Sequence, residues 1–184
     1  MKRLIAVVVM VLGGTALAGK KAGVTMPDRI TVGGQSLVLN GMGLREATLG
    51  VDVYVAGLYV PHPTSDPAQL IDARQQKQLV LKFVRGVGHD KIVKAWHEGF
   101  AKSATVPMSQ LRPYIAQLDA WTPSFSEGDT LTFTYVPGSG VTVAVNGVTK
   151  GTIADPDFAQ SLFAIWLGPK PPSADLRRGL LGSH

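Results

Sequence analysis

The sequence predicts an α+β protein with a large, mainly antiparallel sheet and helices packed on one of its faces. The first observation is the order of segments: strand-like runs come first, two helical stretches follow, and more strands and helices complete the chain. The second is that several strand-like runs come in pairs separated by short turns, which is typical of antiparallel hairpins. With 184 residues, 45% of them hydrophobic, the chain is long enough to bury a substantial core.

The first 18 residues have the pattern of a secretory signal peptide. Lys2 and Arg3 precede a short apolar run over 4–12, and Ala16-Leu17-Ala18 is a small-x-small cleavage site. The apolar run is too short to cross a membrane, which takes about 20 residues. The chain has no cysteine, so a lipoprotein anchor and disulfides are excluded. We therefore expect a single mature domain over 19–184 that is periplasmic or secreted and has no membrane span.

The segments that follow suggest a loose leader over 19–27, and a short strand at Ile30–Val32 that turns at Gly33-Gly34 into the next strand. Prolines after Val60 end the sheet, because proline cannot donate to a strand ladder.

The centre of the predicted sheet is a hairpin formed by the runs 37–45 and 51–60, the second of which is rich in β-branched and aromatic residues. If Leu49 and Gly50 form the loop, Arg45 lies directly opposite Tyr54, with Cβ atoms about 5 Å apart on one face. The alternation of side chains puts four apolar residues on that same face, namely Leu37, Leu39, Ala56 and Leu58.

An arginine beside a phenol on an apolar face predicts a receptor for a carboxylate or an enolate. The guanidinium can bind two oxygens in its plane, and the phenol can add a third hydrogen bond. Two alternatives stay open: Arg45 could end its strand in water, or it could pair with Asp52. A shift of the turn by one residue would separate Arg45 from Tyr54 altogether.

The remaining elements follow from hydrophobic period and capping residues. They are a short helix over 68–74, a strand over 78–85, helices over 90–103 and 108–120, strands over 130–136, 141–145 and 148–153, a helix from Asp155 to Gly168, and a last short helix capped by Ser173. Asn146-Gly147 suits a tight hairpin turn. Pro113 fits its helix only within the first turn, which places the start of that helix later than Met108.

Several function classes are excluded or disfavoured. The formal charge of the chain is +5, and it falls to about +3 without Lys2 and Arg3. The sequence contains no basic stripe with interleaved aromatic residues, so nucleic-acid binding is disfavoured. His89 and His97 have no companion carboxylate at metal-ligand spacing, so we expect no metal site. None of the common nucleophile, phosphate or dinucleotide motifs is present, and we expect no cofactor.

Three segments together resemble the chalcone isomerase-like family, and specifically its secreted bacterial branch. They are Asn40–Arg45 with Val53–Tyr59, Val93–Phe100, and Ser161–Gly168 leading to Leu180–Gly182. The resemblance implies an open-faced β-sandwich, in which helices cover one face of a large antiparallel sheet.

The resemblance also has implications for catalysis. Plant chalcone isomerases use an arginine, a threonine, a tyrosine and an asparagine. Arg45 looks like that arginine, and Tyr54 stands where the threonine would be. The other two places look like His89 or Asp90, and Trp96 or His97, so the ring-closing set is not kept.

The Arg45–Tyr54 pair looks instead like the carboxylate site of the family's fatty-acid-binding members. We expect a non-catalytic periplasmic binding protein, a monomer, for a fatty acid or a similar amphiphilic carboxylate. Its tail would lie against apolar side chains that include Leu39, Leu58, Val93, Trp96 and Phe100. The alternative is an isomerase of the intramolecular lyase type on another substrate, with Tyr54 as acid and Arg45 stabilising an enolate. A third possibility is a structural protein whose cleft is filled by its own side chains.

Overall fold

The structure is a computed structural model that describes residues 18–47, 50–72 and 74–182. Apart from Ala18, the predicted signal peptide lies outside these residues, and its cleavage stays a prediction. None of the described helices is both long enough and apolar enough to cross a membrane.

The fold is a seven-stranded antiparallel sheet with its helices on one side, as the sequence predicted. Strands β3 to β9 lie in the sheet in chain order, each antiparallel to the next. The strands are β1 (Ala18–Lys21), β2 (Val24–Pro27), β3 (Arg29–Val32), β4 (Gln35–Ala47), β5 (Val51–Val60), β6 (Lys77–Phe83), β7 (Thr130–Val136), β8 (Gly140–Val145) and β9 (Val148–Ile153). The helices are α1 (Pro67–Ile71), α2 (His89–Ser103), α3 (Met108–Trp121), α4 (Pro156–Leu167) and α5 (Ala174–Leu180).

The main core lies between the helices and one face of the sheet. Strands β6 and β7 each alternate buried and half-buried residues, and α2 buries the stripe Ile92, Trp96 and Phe100 at helical spacing. At its centre Trp96, Phe133 and Trp166 contact one another, with ring centroids 5.8 to 6.0 Å apart. These three rings lie at the base of the functional site.

The other face of the sheet is partly covered by a hairpin of β1 and β2, so the prediction of a loose leader over 19–27 is wrong. Val24 and Met26 pack against Met42 and Val55 in a second, smaller core. The turn is made by Ala22 and Gly23, whose φ values of 46° and 78° suit a tight two-residue hairpin. With only two inward apolar residues, the strand pattern is too short to identify from sequence.

The register of β4 and β5 confirms that Arg45 lies opposite Tyr54, although the turn differs from the one predicted. Ala47 pairs with Val51, so three residues rather than two connect the strands. The ladder then shifts by one residue between Glu46–Asp52 and Arg45–Tyr54, which makes Val53 a bulge residue. The longer loop shifts the register by one residue and the bulge shifts it back, so Arg45 still lies opposite Tyr54.

A second bulge in β4, at Asn40, corrects the predicted position of Leu39. Leu39 pairs with Tyr59 while Gly41 pairs with Leu58, so Asn40 is an extra residue and the side-chain alternation reverses there. Leu39 therefore packs with the second core, on the opposite face from Tyr54. Asn40 itself donates from Nδ2 to the carbonyl oxygen of Leu180 (2.8 Å), while its Oδ1 accepts from the Thr64 backbone N–H (2.7 Å).

Helix α5 lies directly on the backbone of β4, and glycines make this approach possible. A Cβ at Gly43 would lie 2.3 Å from the carbonyl oxygen of Leu176, and a Cβ at Gly179 would lie 2.2 Å from that of Met42. Gly41 belongs to the same contact, since a Cβ there would lie 2.1 Å from the carbonyl oxygen of Gly179.

Two further details differ from the sequence predictions. Helix α3 does begin at Met108, and Pro113 is its sixth residue rather than a first-turn residue. Lys77, which precedes the start predicted for its strand at residue 78, is the first residue of β6 and is only 1% exposed. Its Nζ donates to the carbonyl oxygens of Leu70 (2.7 Å) and Asp72 at the end of α1, and it lies over the rings of Tyr135 and Phe163.

Candidate functional site

A cleft of about 540 Å³ opens at the end of the sheet where β4 and β5 turn. One wall is the sheet, a second is α2, and a third is the connection between α4 and α5. Its apolar lining includes Val53, Phe83, Ile92, Trp96, Ile165 and Trp166. The cleft reaches both Arg45 and Tyr54, so the protein's own side chains do not fill this place.

Three neighbouring strands supply a row of side chains to the sheet wall of the cleft. Arg45 of β4 pairs with Tyr54 of β5, which pairs in turn with Phe83 of β6. The Phe83 ring stacks on Phe125 with centroids 4.1 Å apart. The bulge lets the consecutive residues Val53 and Tyr54 both line the cleft, whereas regular alternation would turn one of them away. The site therefore depends on the bulge as well as on the residue types.

Tyr54 is a buried hydrogen-bond donor in the cleft wall. Its hydroxyl oxygen accepts from the indole Nε1–H of Trp166 at 3.0 Å. Burial raises the pKa of Tyr54 to about 12, although the hydrogen bond from Trp166 and the charge of Arg45 both oppose the shift. The phenol therefore stays protonated at neutral pH. Since the oxygen already accepts from Trp166, its own hydrogen remains available for an anion.

Arg45 is half-buried and, within the described part of the chain, forms no ion pair and no side-chain hydrogen bond. The alternative partner Asp52 lies opposite Glu46 in the ladder and forms no ion pair with Arg45. A guanidinium has five N–H donors, and its solvation is reduced where the cleft walls cover it. This arrangement suits a bound anion that would accept from Arg45 and Tyr54 together.

The other residues predicted to contact a ligand are distributed over the fold. Trp96 lines the cleft, but its Nε1–H donates to Thr122 Oγ1 at 3.1 Å and so offers only its ring. Leu58 and Phe100 are fully buried in the main core and do not line the cleft. Leu58 lies four residues beyond Tyr54 along β5, and Phe100 stacks on Phe158.

Two predicted contacts fail for reasons of geometry. Leu39 lies on the opposite face of the sheet because of the Asn40 bulge. Val93 is half-buried and does not line the cleft, since one residue along a helix turns the side chain by about 100° from the face of Ile92. The cleft face of α2 is instead made by residues at three- and four-residue spacing, which are Ile92, Ala95, Gly99 and Lys102.

The positions matched to the catalytic tyrosine and asparagine of plant chalcone isomerases lie mostly outside the cleft. His89 begins α2, and its Nδ1 lies 2.7 Å from the carbonyl oxygen of Thr122. His97 is exposed and bonds Asp119 through Nε2 at 2.7 Å. Of His89, Asp90, Trp96 and His97, Trp96 is the one that lines the cleft.

Sequence reasoning missed most of the charged residues around the cleft. Four exposed basic side chains line the cleft, namely Arg85, Lys91, Lys102 and Lys170. Among the described residues, Glu98 is the acidic residue that lines it. The four basic residues come from three separate segments, so no run of basic residues marks them in the sequence. No group of three or more histidine, aspartate or glutamate side chains in the described residues is placed to hold a metal ion.

A seven-stranded antiparallel sheet with helices on one face, and a cleft at the end of its long hairpin, define an open-faced β-sandwich. The sequence profile described as chalcone isomerase-like matches residues 18–182, and the chain belongs to this family. No curated protein sequence matches the chain at a significant level. The crystal structure of a fatty-acid binding protein from Arabidopsis thaliana is similar, with a TM-score of 0.75 and 18% identity over 90% of this chain and 96% of that one. At this identity the similarity shows the shared fold.

Proposed function

We propose that this protein is a non-catalytic carrier of a fatty acid or a similar amphiphilic carboxylate, and that it works in the periplasm or after secretion. The observation that supports it most is the cleft that brings together the protonated phenol of Tyr54 and the guanidinium of Arg45, which has no partner among the described residues. The similar fold of a fatty-acid binding protein agrees with this proposal. The location is inferred from the predicted signal peptide over 1–18.

The head group would be held by charge-assisted hydrogen bonds. A carboxylate has two oxygens in one plane, which match two guanidinium N–H groups, and either oxygen can also accept from the Tyr54 hydroxyl. Because the phenol is buried, water competes weakly for this hydrogen bond. Trp166 fixes the position of the phenol oxygen before the ligand arrives, so little ordering is needed on binding.

The tail would lie along the cleft rather than in the main core. The core beneath the cleft is filled by Trp96, Phe133 and Trp166, and beyond them by residues such as Phe100 and Phe158. The apolar walls above this floor are Val53, Ile92, Ala95 and Ile165 together with the faces of the two indoles. A volume of about 540 Å³ is within the usual range for a small-molecule site.

The proposal is tested by measuring fatty-acid affinity for Arg45 variants. We expect Arg45→Ala to weaken binding of a long-chain fatty acid by about 10- to 100-fold, because a charged hydrogen-bond partner is lost. Arg45→Lys should keep part of the affinity, since lysine retains the charge but not the two-pronged geometry. Isothermal titration calorimetry of the purified mature protein gives the affinities.

A matched control is Arg29→Ala, which removes an exposed arginine from the neighbouring strand β3 outside the cleft. Its affinity should stay within about twofold of the wild type, because exposed charges contribute little. Equal affinity of the wild type and Arg45→Ala would show that the carboxylate binds elsewhere, and the proposal would then be wrong.

A further inference from the structure

The cleft carries more positive charge than a single carboxylate needs. Four basic side chains besides Arg45 line it, and Glu98 is its one acidic residue among those described. The whole chain has 18 basic and 13 acidic residues, so basic residues are concentrated at this place. The four are Arg85 after β6, Lys91 and Lys102 on α2, and Lys170 between α4 and α5, and we call them the rim cations.

The rim cations have no partners in the described part of the chain. None of the four forms an ion pair or a side-chain hydrogen bond there. The cleft's carboxylate, Glu98, lies 4.0 Å from Lys94, one turn earlier on α2, and forms no ion pair with a rim cation. Like charges around one cavity raise its positive potential, which attracts an anion to it.

The rim cations surround the opening from all three walls. Arg85 follows the sheet strand that carries Phe83, and Lys170 precedes Pro171 and Pro172 on the third wall. Lys91 and Lys102 lie near opposite ends of α2, on about the same side of the helix, because eleven residues make about three turns. A ligand whose tail lies in the cleft would have its polar end near the rim cations at its own end of the cleft. A monocarboxylate on Arg45 and Tyr54 would leave them without any anionic partner.

We infer that the ligand is an acyl chain whose head group carries a phosphate, or a similar group with about two negative charges, in contact with the rim cations. This inference rests on the proposed function, because it concerns the same cleft. Phosphate oxygens can bind Arg45 as a carboxylate does, and the remaining oxygens accept from lysine and arginine side chains in several directions. The geometry thus favours a phosphorylated lipid over a free fatty acid with the same tail.

The test compares ligands that share a tail or a head. Lauric acid carries one negative charge, lauroyl glycerol phosphate carries about two, monolauroyl glycerol carries none, and glycerol phosphate has the head without the tail. Affinities are measured by calorimetry at low ionic strength, where exposed charges are least screened. We expect lauroyl glycerol phosphate to bind about tenfold more tightly than lauric acid, and both more tightly than the other two.

The variant that isolates the rim cations replaces all four by glutamine (Arg85→Gln, Lys91→Gln, Lys102→Gln, Lys170→Gln). All four are exposed, so stability should change little. We expect this variant to lose the tenfold preference, because the four charges attract a head group with about two negative charges more strongly than the single charge of lauric acid. Lys150→Gln, an exposed lysine on β9 outside the cleft, should leave every affinity unchanged.

The outcomes separate this inference from the function on which it rests. Suppose that lauric acid binds through Arg45. If lauroyl glycerol phosphate binds no more tightly than lauric acid, or if it still binds more tightly in the glutamine variant, the inference is wrong and the carrier proposal survives. If glycerol phosphate alone binds as tightly as its lauroyl ester, the cleft is a free-phosphate site, and the inference of an acyl ligand is wrong. If neither lipid binds, the carrier proposal itself is contradicted.

Discussion

The ammonium group of Lys77 is held in the protein interior. It caps the end of α1 by donating to two backbone carbonyls, and the rings of Tyr135 and Phe163 lie 5.5 and 5.2 Å from its Nζ. Burial lowers the pKa of Lys77 from 10.5 to about 8, although the charge of Asp72 opposes the shift. The charged form is therefore less favourable in the folded protein than in the unfolded chain.

This shift predicts a pH dependence of stability. Between pH 8 and pH 10.5 the unfolded chain binds more protons at Lys77 than the folded protein does, so the contribution of Lys77 to the free energy of unfolding rises with pH. Relative to Lys77→Met, which cannot titrate, the wild type should gain about 2 kcal/mol between pH 8 and pH 10. Urea unfolding of both proteins at a series of pH values measures the difference.

The window closes near pH 10 for a separate reason. Burial raises the pKa of both Tyr54 and Tyr59 from 10.0 to about 12, so above pH 10 the folded protein holds more protons there and stability falls. Because Lys77→Met keeps both tyrosines, their effect cancels in the comparison. A constant stability difference over pH 8 to pH 10 would show that the Lys77 pKa is not lowered.

The positions of some residues could be predicted from the sequence better than the positions of others. Arg45 and Tyr54 were placed opposite each other because both lie near the turn of one hairpin, but the pairing holds only because the bulge at Val53 offsets the longer loop. The rim cations could not be placed together, since they come from three elements and meet only after the helices pack on the sheet. Lys77 continues the inward alternation of Leu79, Leu81 and Phe83, but a lysine at such a position normally indicates a strand end.

At the scale of elements, the contact between α5 and β4 depends on the absence of side chains at Gly43 and Gly179. We predict that Gly43→Ala and Gly179→Ala each destabilise the protein by about 2 kcal/mol, because the added methyl group meets backbone atoms that cannot rotate away. This holds for Gly179 although alanine is the better helix former by about 1 kcal/mol. Thermal and urea unfolding measure both effects.

The control for this pair is Gly86→Ala, where the nearest atom to a new Cβ would be the Phe125 carbonyl oxygen at 3.8 Å. It should change the free energy of unfolding by no more than about 0.5 kcal/mol. In the double variant of Gly43 and Gly179, one displacement of α5 relieves both clashes, so the combined loss should be smaller than the sum. Strict additivity would mean that the two alanines are accommodated independently.

Elements with strong local signals were predicted well, and those that depend on distant contacts were not. Asp155 caps α4 by accepting from the Phe158 N–H at 2.7 Å, and Asn146-Gly147 joins β8 to β9, both as expected from the sequence. The Asn40 bulge has no local signal, because its side chain is satisfied by Leu180 and Thr64. The residues of β4 before Asn40 therefore lie on the opposite face of the sheet from the one predicted.

At the scale of the whole molecule, the cleft does not have the composition that ring closure of a chalcone requires. The reaction needs a phenolate held near the alkene and an enone oxygen polarised as charge moves onto it. Arg45 could hold the phenolate. For the second requirement Trp96 is already bonded to Thr122, and His89, Asp90 and His97 lie outside the cleft, so Tyr54 is the donor left there.

We therefore predict that the protein does not cyclise a hydroxylated chalcone faster than the uncatalysed rate. The buried ring of Tyr54 also takes up space at the position of a smaller threonine, which a flexible acyl chain tolerates better than a rigid aromatic substrate does. Stopped-flow absorbance follows the loss of chalcone. A stereoselective, catalysed loss that disappears in Arg45→Ala would favour the isomerase alternative over a carrier.

The close packing of α5 on β4 has a consequence for the order in which the chain can fold. The strands of the sheet pair with their neighbours in sequence, whereas Asn40 and Leu180 are 140 residues apart when they meet. During synthesis the hairpins can form as they emerge, but the glycine strip of β4 stays uncovered until the segment around Leu180 has been made. Docking of that helix then follows formation of the hairpins, and the glycine strip of a nascent chain stays uncovered, and accessible to chaperones, until residues 174–182 have emerged.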